Sequence, residues 1–118
     1  MRVLVVDDAP YMVKVLRDIL DAHGYEVHEA ANGEEAVSKY NEILPDVVLM
    51  DILMPVMDGV KATKEILAKD PKANIIVVTA VGKSGLEKDC IAAGAKNFII
   101  KPFKIKELVN IIDSLGNE

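Results

Sequence analysis

Five reactive side chains of this 118-residue sequence lie at the ends of short apolar segments, where together they could perform metal-assisted chemistry on a phosphoryl group. The five are Asp7, Asp8, Asp51, Thr79 and Lys101. Two carboxylates about 4 Å apart repel by roughly 4 kcal/mol at an effective dielectric constant near 20, so a cluster of three needs a cation. Carboxylate oxygens without His or Cys favour a hard divalent ion, and Mg²⁺ fits best. A carboxylate beside Mg²⁺ and an ammonium group could accept a phosphoryl group, while the threonine hydroxyl donates a hydrogen bond.

Each of these residues also has an ordinary structural explanation when it is taken alone. Asp8 precedes an Ala-Pro pair and could cap a helix. Asp51 could belong to a turn, Thr79 to a strand, and Lys101 could be a solvated lysine. Such explanations do not account for reactive residues at four of five predicted strand ends. Their joint occurrence therefore favours one shared site.

The segments that would position these residues are β-branched apolar runs separated by longer stretches of helical period. The runs are Arg2–Val6, Tyr25–Ala30, Val47–Met50, Asn74–Val78 and Asn97–Ile100. This alternation predicts an α/β domain of (βα)5 type with a buried parallel sheet. All strands of such a sheet end at the same edge, and ligands bind there. The reactive residues would therefore converge.

Helix boundaries are predicted from Pro, Gly and capping residues. Pro10 is expected in the first turn of the first helix, and Gly24, Gly94 and Gly116 are expected after last turns. Asn32 with Glu35 forms a capping pair for the second helix. The fourth helix has the weakest apolar pattern, so we expect it to be the least firmly fixed element.

Composition limits the classes of protein that this chain can belong to. A length of 118 residues predicts one domain spanning residues 1–118, and the net charge of −5 argues against bulk binding of nucleic acid. A single Cys allows no intrachain disulfide and no Cys-based zinc site. We find no signal segment and no apolar run of membrane-spanning length. We therefore expect a cytoplasmic monomer.

The sequence resembles two-component response-regulator receiver domains over essentially its whole length. The motifs that carry the resemblance are Val5–Asp8, Asp51–Gly59, Thr79-Ala80, Ala93–Ala95 and Phe98–Phe103. The stretch Asp8–Met12 and the lack of a predicted output domain make it most similar to stand-alone chemotaxis receivers of the CheY type. The resemblance implies a flavodoxin-like (βα)5 three-layer sandwich with strand order 2-1-3-4-5.

The resemblance also implies a role for each residue of the acidic site. Asp51 would be the phosphoacceptor, which takes its phosphoryl group from a phosphohistidine on a kinase. Asp8, Asp51 and the backbone carbonyl of Leu53 would hold Mg²⁺, and Asp7 would place the ion or bind it through water. Lys101 would pair with the phosphoryl oxygens.

Two further residues would form a switch if the resemblance holds. Thr79 would turn toward the phosphoryl group and Phe98 would turn inward behind it. This movement would alter the face formed by the fourth helix, the fifth strand and the fifth helix, as a population shift between two packings. The Lys101–Pro102 peptide bond would be cis.

Three positions depart from the best-known chemotaxis pattern. Phe98 replaces a tyrosine that is often present, which keeps the aromatic ring but removes the hydroxyl. Leu53 and Val81 are apolar where polar residues often orient the hydrolytic water. We therefore predict slow self-dephosphorylation.

The function implied is that of a signalling module rather than an enzyme acting on separate substrates. Its partners would be a histidine kinase of the CheA type and a motor switch or adaptor protein, and a phosphatase is a third candidate. One alternative is a phosphorelay intermediate that passes the phosphoryl group from Asp51 to a histidine phosphotransfer protein. A Mg²⁺-dependent phosphatase would need a second acid where Leu53 stands, and a purely structural domain does not explain the acidic site.

Other signals are weaker. Gly82-Lys83-Ser84 matches the end of a P-loop, but Val77 occupies the position of its first glycine. Cys90 is expected to be a small packed residue. Five lysines near the fourth and fifth helices could be solvated charges or the rim of a docking face: Lys83, Lys88, Lys96, Lys104 and Lys106.

Overall fold

One parallel five-stranded sheet organises the computed structural model, which describes residues 1–80 and 84–116. The strands are β1 (Arg2–Val6), β2 (Glu26–Ala30), β3 (Val47–Met50), β4 (Ile75–Thr79) and β5 (Asn97–Ile100). Their order in the sheet is β2-β1-β3-β4-β5, and every neighbouring pair is parallel. The predicted flavodoxin-like (βα)5 fold is confirmed.

Helices cover both faces of this sheet, as right-handed crossovers between parallel strands require. They are α1 (Pro10–Ala22), α2 (Gly33–Ile43), α3 (Gly59–Lys69), α4 (Ser84–Ala92) and α5 (Ile105–Gly116). Because alternate strand residues point to opposite faces, Val3 and Val5 pack with α1 and α5, whereas Leu4 and Val6 pack with α2 and α3. The result is the predicted three-layer sandwich.

A smaller apolar cluster lies beside these two large ones, and we call it the α4 cluster. Its buried members come from the chain after β3, from β4, from α4 and from the turn after α4: Ile52, Val77, Cys90 and Ala95. Val60, Leu86 and Phe98 pack against it. The α4 cluster therefore joins the chain segment next to the acidic site to α4 and β5. Cys90 is a packed residue, as predicted, and burial raises the pKa of its thiol, with smaller contributions from Asp89 and Asp58.

Most predicted element ends are confirmed, and four are shifted. Pro10 begins α1, and the Asn32 side chain accepts a hydrogen bond from the Glu35 N–H at 2.9 Å. Tyr25 lies outside β2, because its N–H donates to the Leu20 carbonyl at the end of α1.

The fourth strand and the last helix account for the other three shifts. β4 ends at Thr79 rather than at Val78. Asn74 precedes β4, and its side chain donates to the carbonyl oxygens of Asp46 and Leu115. Gly116 is the last residue of α5 rather than the residue after it. Gly24 and Gly94 follow helix ends with φ of 82° and 109°, as the sequence predicts. In the described ranges, we find no helix that is long and apolar enough to cross a membrane.

Candidate functional site

The carboxyl edge of the sheet, which we define as the ends of the strands that precede Asp7, Asp51, Ala80 and Lys101, collects the reactive residues. The backbone places them through ladder hydrogen bonds that continue one residue past the strands. The Asp7 N–H donates to the Ala30 carbonyl at 3.1 Å, and the Asp51 N–H donates to the Val6 carbonyl at 2.9 Å. The first bond extends the ladder between β1 and β2, and the second extends the ladder between β1 and β3 and brings Asp51 beside Asp7.

Asp7, Asp8 and Asp51 form a compact group of oxygen ligands. One carboxylate oxygen from each residue lies within 4.8 Å of the others. Asp7 is buried, Asp51 is partly buried and Asp8 is exposed. A hard divalent cation prefers such a set, because it takes oxygen ligands and keeps several waters on its open side. The residues present therefore fit the predicted magnesium site.

Lys101 places a positive charge beside this group. Its Nζ lies 2.8 Å from Asp7 Oδ2 and 3.9 Å from Asp51 Oδ2. The Lys101 side chain is only 14% exposed, so it is not the solvated lysine that was one explanation of the sequence. The backbone N–H of Lys101 donates to the Thr79 carbonyl at 2.8 Å, and this bond ties the end of β5 to β4. The Lys101–Pro102 peptide bond is cis, as the resemblance implies.

The charged form of Asp51 is disfavoured by its surroundings. Burial raises the pKa of the Asp51 carboxyl, and the nearby charge of Asp7 raises it further. The Lys101 ammonium and hydrogen bonds from the Ile52 N–H and Thr79 side chain oppose this effect without cancelling it. A carboxyl group whose ionisation costs free energy in this way is typical of catalytic and cation-binding sites.

Thr79 and Phe98 lie on neighbouring strands and on the same face of the sheet. Val77 pairs with Phe98 in the register of β4 and β5, and Thr79 is two residues beyond Val77. Thr79 is buried, whereas Phe98 is partly buried and packs against the α4 cluster. The two predicted switch residues therefore share the face that α4 covers.

The loop after β3 returns close to the acidic site through a glycine. Asp58 caps α3 by accepting a hydrogen bond from the Lys61 N–H at 2.9 Å, and the Gly59 N–H donates to the Ile52 carbonyl at 2.8 Å. A Cβ atom on Gly59 would lie 2.0 Å from the Asp51 carbonyl oxygen. Only glycine permits this close return of the chain.

Two features of the site were not predicted. The Ile52 N–H donates to Asp51 Oδ1 at 2.8 Å, and the Ala9 N–H donates to Asp7 Oδ1 at 2.9 Å. The residue before α1 is Ala9, and no side chain in residues 1–80 or 84–116 caps this helix, so the capping explanation of Asp8 is wrong. The cap of α3 was not predicted either, although Asp58 followed by Gly59 is a recognisable signal for a helix start.

Exposed apolar side chains and charges lie near this site and on the α4–β5–α5 side. Leu53, in the loop after Asp51, is 62% exposed. Four of the five predicted rim lysines are exposed, whereas Lys83 and Val81 lie outside the described residues. A groove of about 460 Å³ adjoins Asp7 and Asp8 and is lined also by Val13 and Arg17. A protein partner would find both apolar and charged contacts here.

Comparison with known proteins agrees with this geometry. The family described as response regulator receiver domain matches residues 3–113. The chemotaxis protein CheY of Thermotoga maritima is 50% identical over 116 residues, which is 98% of this chain and 97% of that protein.

Two solved structures are similarly close. CheY in a CheX–CheY–BeF₃–Mg²⁺ complex from Borrelia burgdorferi has a TM-score of 0.92 and 40% identity, over 98% of this chain and 88% of that one. The receiver domain of a Pseudomonas aeruginosa sensor histidine kinase, with magnesium in its active-site cleft, has a TM-score of 0.92 and 34% identity, over 99% and 98% of the two chains. The chain belongs to the response regulator receiver domain family and is homologous to CheY chemotaxis proteins.

Proposed function

We propose that this chain is a Mg²⁺-dependent phosphoacceptor that takes a phosphoryl group from a histidine kinase onto Asp51 and then binds a target through its α4–β5–α5 face. Receiver domains are phosphoacceptors. The observation that carries the proposal is the convergence of three carboxylates with Lys101, whose Nζ lies 3.9 Å from Asp51 Oδ2. We also propose a single domain over residues 1–118 that acts in the cytoplasm.

Mg²⁺ would be held by Asp8, Asp51 and the backbone carbonyl of Leu53, with Asp7 placing the ion. When bound, the ion supplies positive charge that neutralises the phosphoryl oxygens during transfer. The fit rests on the donor set, because the carboxylate oxygens of Asp7, Asp8 and Asp51 lie within 4.8 Å of one another.

The protein's own residues would perform the transfer. A carboxylate oxygen of Asp51 attacks phosphorus and forms the acyl phosphate, while the bond between phosphorus and the imidazole nitrogen of the donor breaks and leaves its electron pair on the imidazole. Lys101, already within reach of Asp51, would pair with the phosphoryl oxygens. Thr79 would donate a hydrogen bond to one of them, and its burial would exclude water from that side.

Phosphorylation would then change the partner surface. Thr79 and Phe98 share the sheet face under α4, so a movement of Thr79 toward the phosphoryl group would free space that Phe98 can enter. Exposed Ile91, Ile100 and Ile105 on this side, with the lysine rim, provide a surface for protein binding.

The relatives support a proposal about the partners. CheY homologues share nearly the full length of this chain, so we propose a role in chemotaxis or motility, with a CheA-like kinase and a motor switch or adaptor as target. The CheX–CheY complex suggests that a phosphatase is a further partner. The second candidate function is a phosphorelay intermediate, which would use the same Asp51.

A pull-down from cell extract, with and without beryllofluoride plus Mg²⁺, tests this proposal. We expect motor or adaptor components to be retained only with the phosphoryl mimic, and Asp51→Asn to abolish the difference. Retention of a histidine phosphotransfer protein instead would favour the phosphorelay role. Binding that is equal in both states, or that survives Asp51→Asn, would contradict the switch.

A further inference from the structure

Ile52 is attached to the acidic site through its backbone. Its N–H donates to Asp51 Oδ1 at 2.8 Å, and its carbonyl accepts the Gly59 N–H at 2.8 Å. Asp51 Oδ1 belongs to the carboxylate that would be phosphorylated. A change in the charge or direction of that carboxylate therefore alters the hydrogen bond that the Ile52 N–H donates.

The side chain of Ile52 points into a different part of the molecule. It is 2% exposed and is a buried member of the α4 cluster, together with Val77 and Cys90. Leu86 of α4 and Phe98 of β5 pack against the same cluster. One residue thus contacts the phosphoacceptor with its main chain and the partner-facing elements with its side chain.

We propose that Ile52 is a positioning residue that couples the state of Asp51 to the packing of α4 and β5. This inference rests on the proposed function of Asp51, and it adds a mechanical connection separate from the Thr79 and Phe98 pair. Phosphorylation would redirect the hydrogen bond of the Ile52 N–H, and the side chain would shift with its backbone.

Close packing makes such a shift effective. Protein interiors have few voids, so a displaced buried side chain moves its neighbours instead of entering free space. α4 has the weakest amphipathic pattern of the five helices, and its Leu86 and Cys90 contact the α4 cluster. A small shift at Ile52 would therefore reach α4 through these contacts.

The test compares amide chemical shifts of ¹⁵N-labelled protein with and without saturating beryllofluoride plus Mg²⁺. Signals of Asp8 and Lys101 report binding at the site, and signals of residues 87–100 report the response of α4 and β5. Ile52→Ala should keep the site signals but reduce the α4–β5 response at least twofold. Ile52→Val removes only one methylene, so it should fold and reduce the α4–β5 response by a smaller but measurable amount. An unreduced response in Ile52→Val would overturn the proposal even if Ile52→Ala does not fold.

Val60→Ala is the matched control, because Val60 packs against the α4 cluster but is not bonded to Asp51. We expect it to keep the wild-type α4–β5 response. The proposal is overturned if Ile52→Ala responds like wild type, or if Val60→Ala loses as much. A wild-type protein whose site signals do not change would overturn the proposed function itself.

Discussion

The two edges of the sheet differ in how their charged groups are arranged: opposite charges are paired at the amino edge, and like charges are clustered at the carboxyl edge. At the amino edge, which we define as the strand starts around Arg2, Tyr25, Asp46 and Asn74, the charged groups of Arg2, Asp46 and Glu26 are paired. The Arg2 N–H donates to Asp46 Oδ2 at 2.7 Å, and Arg2 Nε lies 3.0 Å from Glu26 Oε2. At the carboxyl edge, Asp7 and Asp51 share Lys101, and the carboxylate of Asp8 lies close to both of them.

Side-chain hydrogen bonds at the amino edge also tie α5 to the sheet. The Tyr25 hydroxyl donates to Asp113 of α5, and burial, followed by this hydrogen bond and the charge of Asp113, raises the pKa of Tyr25 to about 12. The Asn74 side chain donates to the carbonyls of Asp46 and Leu115. We infer that the amino edge stabilises the fold, whereas the carboxyl edge holds like charges that a cation and a phosphoryl group can use.

The largest expected effect on stability is at Gly59. In Gly59→Ala the new methyl group would lie 2.0 Å from the Asp51 carbonyl oxygen, so the loop after β3 must move. We expect a loss of about 3 kcal/mol or more in urea unfolding. Gly24→Ala is the control near the amino edge. No described heavy atom lies within 4 Å of its Cβ position, and only the φ of 82° is unfavourable, at about 1–2 kcal/mol. Equal losses in the two variants would contradict the close approach at the carboxyl edge.

Mg²⁺ should stabilise the protein through the carboxyl edge alone. At a concentration 100 times its dissociation constant, a ligand that binds only the folded state adds about 2.7 kcal/mol to the free energy of unfolding. Millimolar Mg²⁺ should therefore raise the melting temperature, and Asp8→Ala should remove most of that increase. Asp46→Ala, at the amino edge, should lower the melting temperature without Mg²⁺ but keep the increase. An undiminished increase in Asp8→Ala would show that the ion binds elsewhere.

The raised pKa of Asp51 predicts a dependence of stability on pH. A carboxyl group whose folded-state pKa is raised destabilises the fold when it is ionised, and this cost shrinks as pH falls below the raised pKa and is gone below the unfolded-state pKa. In metal-free buffer, Asp51→Asn should therefore raise the melting temperature at neutral pH, and the gain should shrink in acid. Asp46→Asn should give no such gain, because Asp46 is exposed and paired. A gain that grows toward acid pH would contradict the assigned direction.

The smallest effect concerns the lifetime of the phosphorylated state. Leu53 is exposed and apolar near the site, so it cannot orient a water molecule for hydrolysis. Leu53→Asn should lose its phosphoryl group several-fold faster, which corresponds to about 1 kcal/mol in the barrier. Val56→Asn, at another exposed position of the same loop, is the control and should keep the wild-type rate. Loss that is no faster in Leu53→Asn would contradict this role.

Much of the carboxyl edge could be predicted because topology alone brings strand ends together. Asp7, Asp51 and Lys101 directly follow strands, and their convergence needs no knowledge of side-chain packing. The preference of Lys101 for Asp7 over Asp51 could not be predicted, because a difference of about one ångström depends on how the loops pack. The two contacts of Ile52, of its backbone with Asp51 and of its side chain with the α4 cluster, could not be predicted for the same reason.

The amino edge was less predictable than the carboxyl edge. Asn74 and Tyr25 have residue types that suit a strand or its flank, so the sequence placed both within strands. In the structure, each residue lies just before its strand, and its side chain donates a hydrogen bond to α5. Such contacts join elements far apart in sequence, and local patterns do not encode them.

The most direct test of the central claim is to locate the phosphoryl group. The protein would be incubated with phosphoramidate and Mg²⁺ and then treated with borohydride, which reduces an aspartyl phosphate to homoserine. Tandem mass spectrometry of the peptides would identify the reduced position. We predict homoserine at position 51 and unmodified Asp7 and Asp8. Modification at Asp7 or Asp8 instead, or no uptake of phosphate at all, would contradict the assignment of Asp51 as the phosphoacceptor.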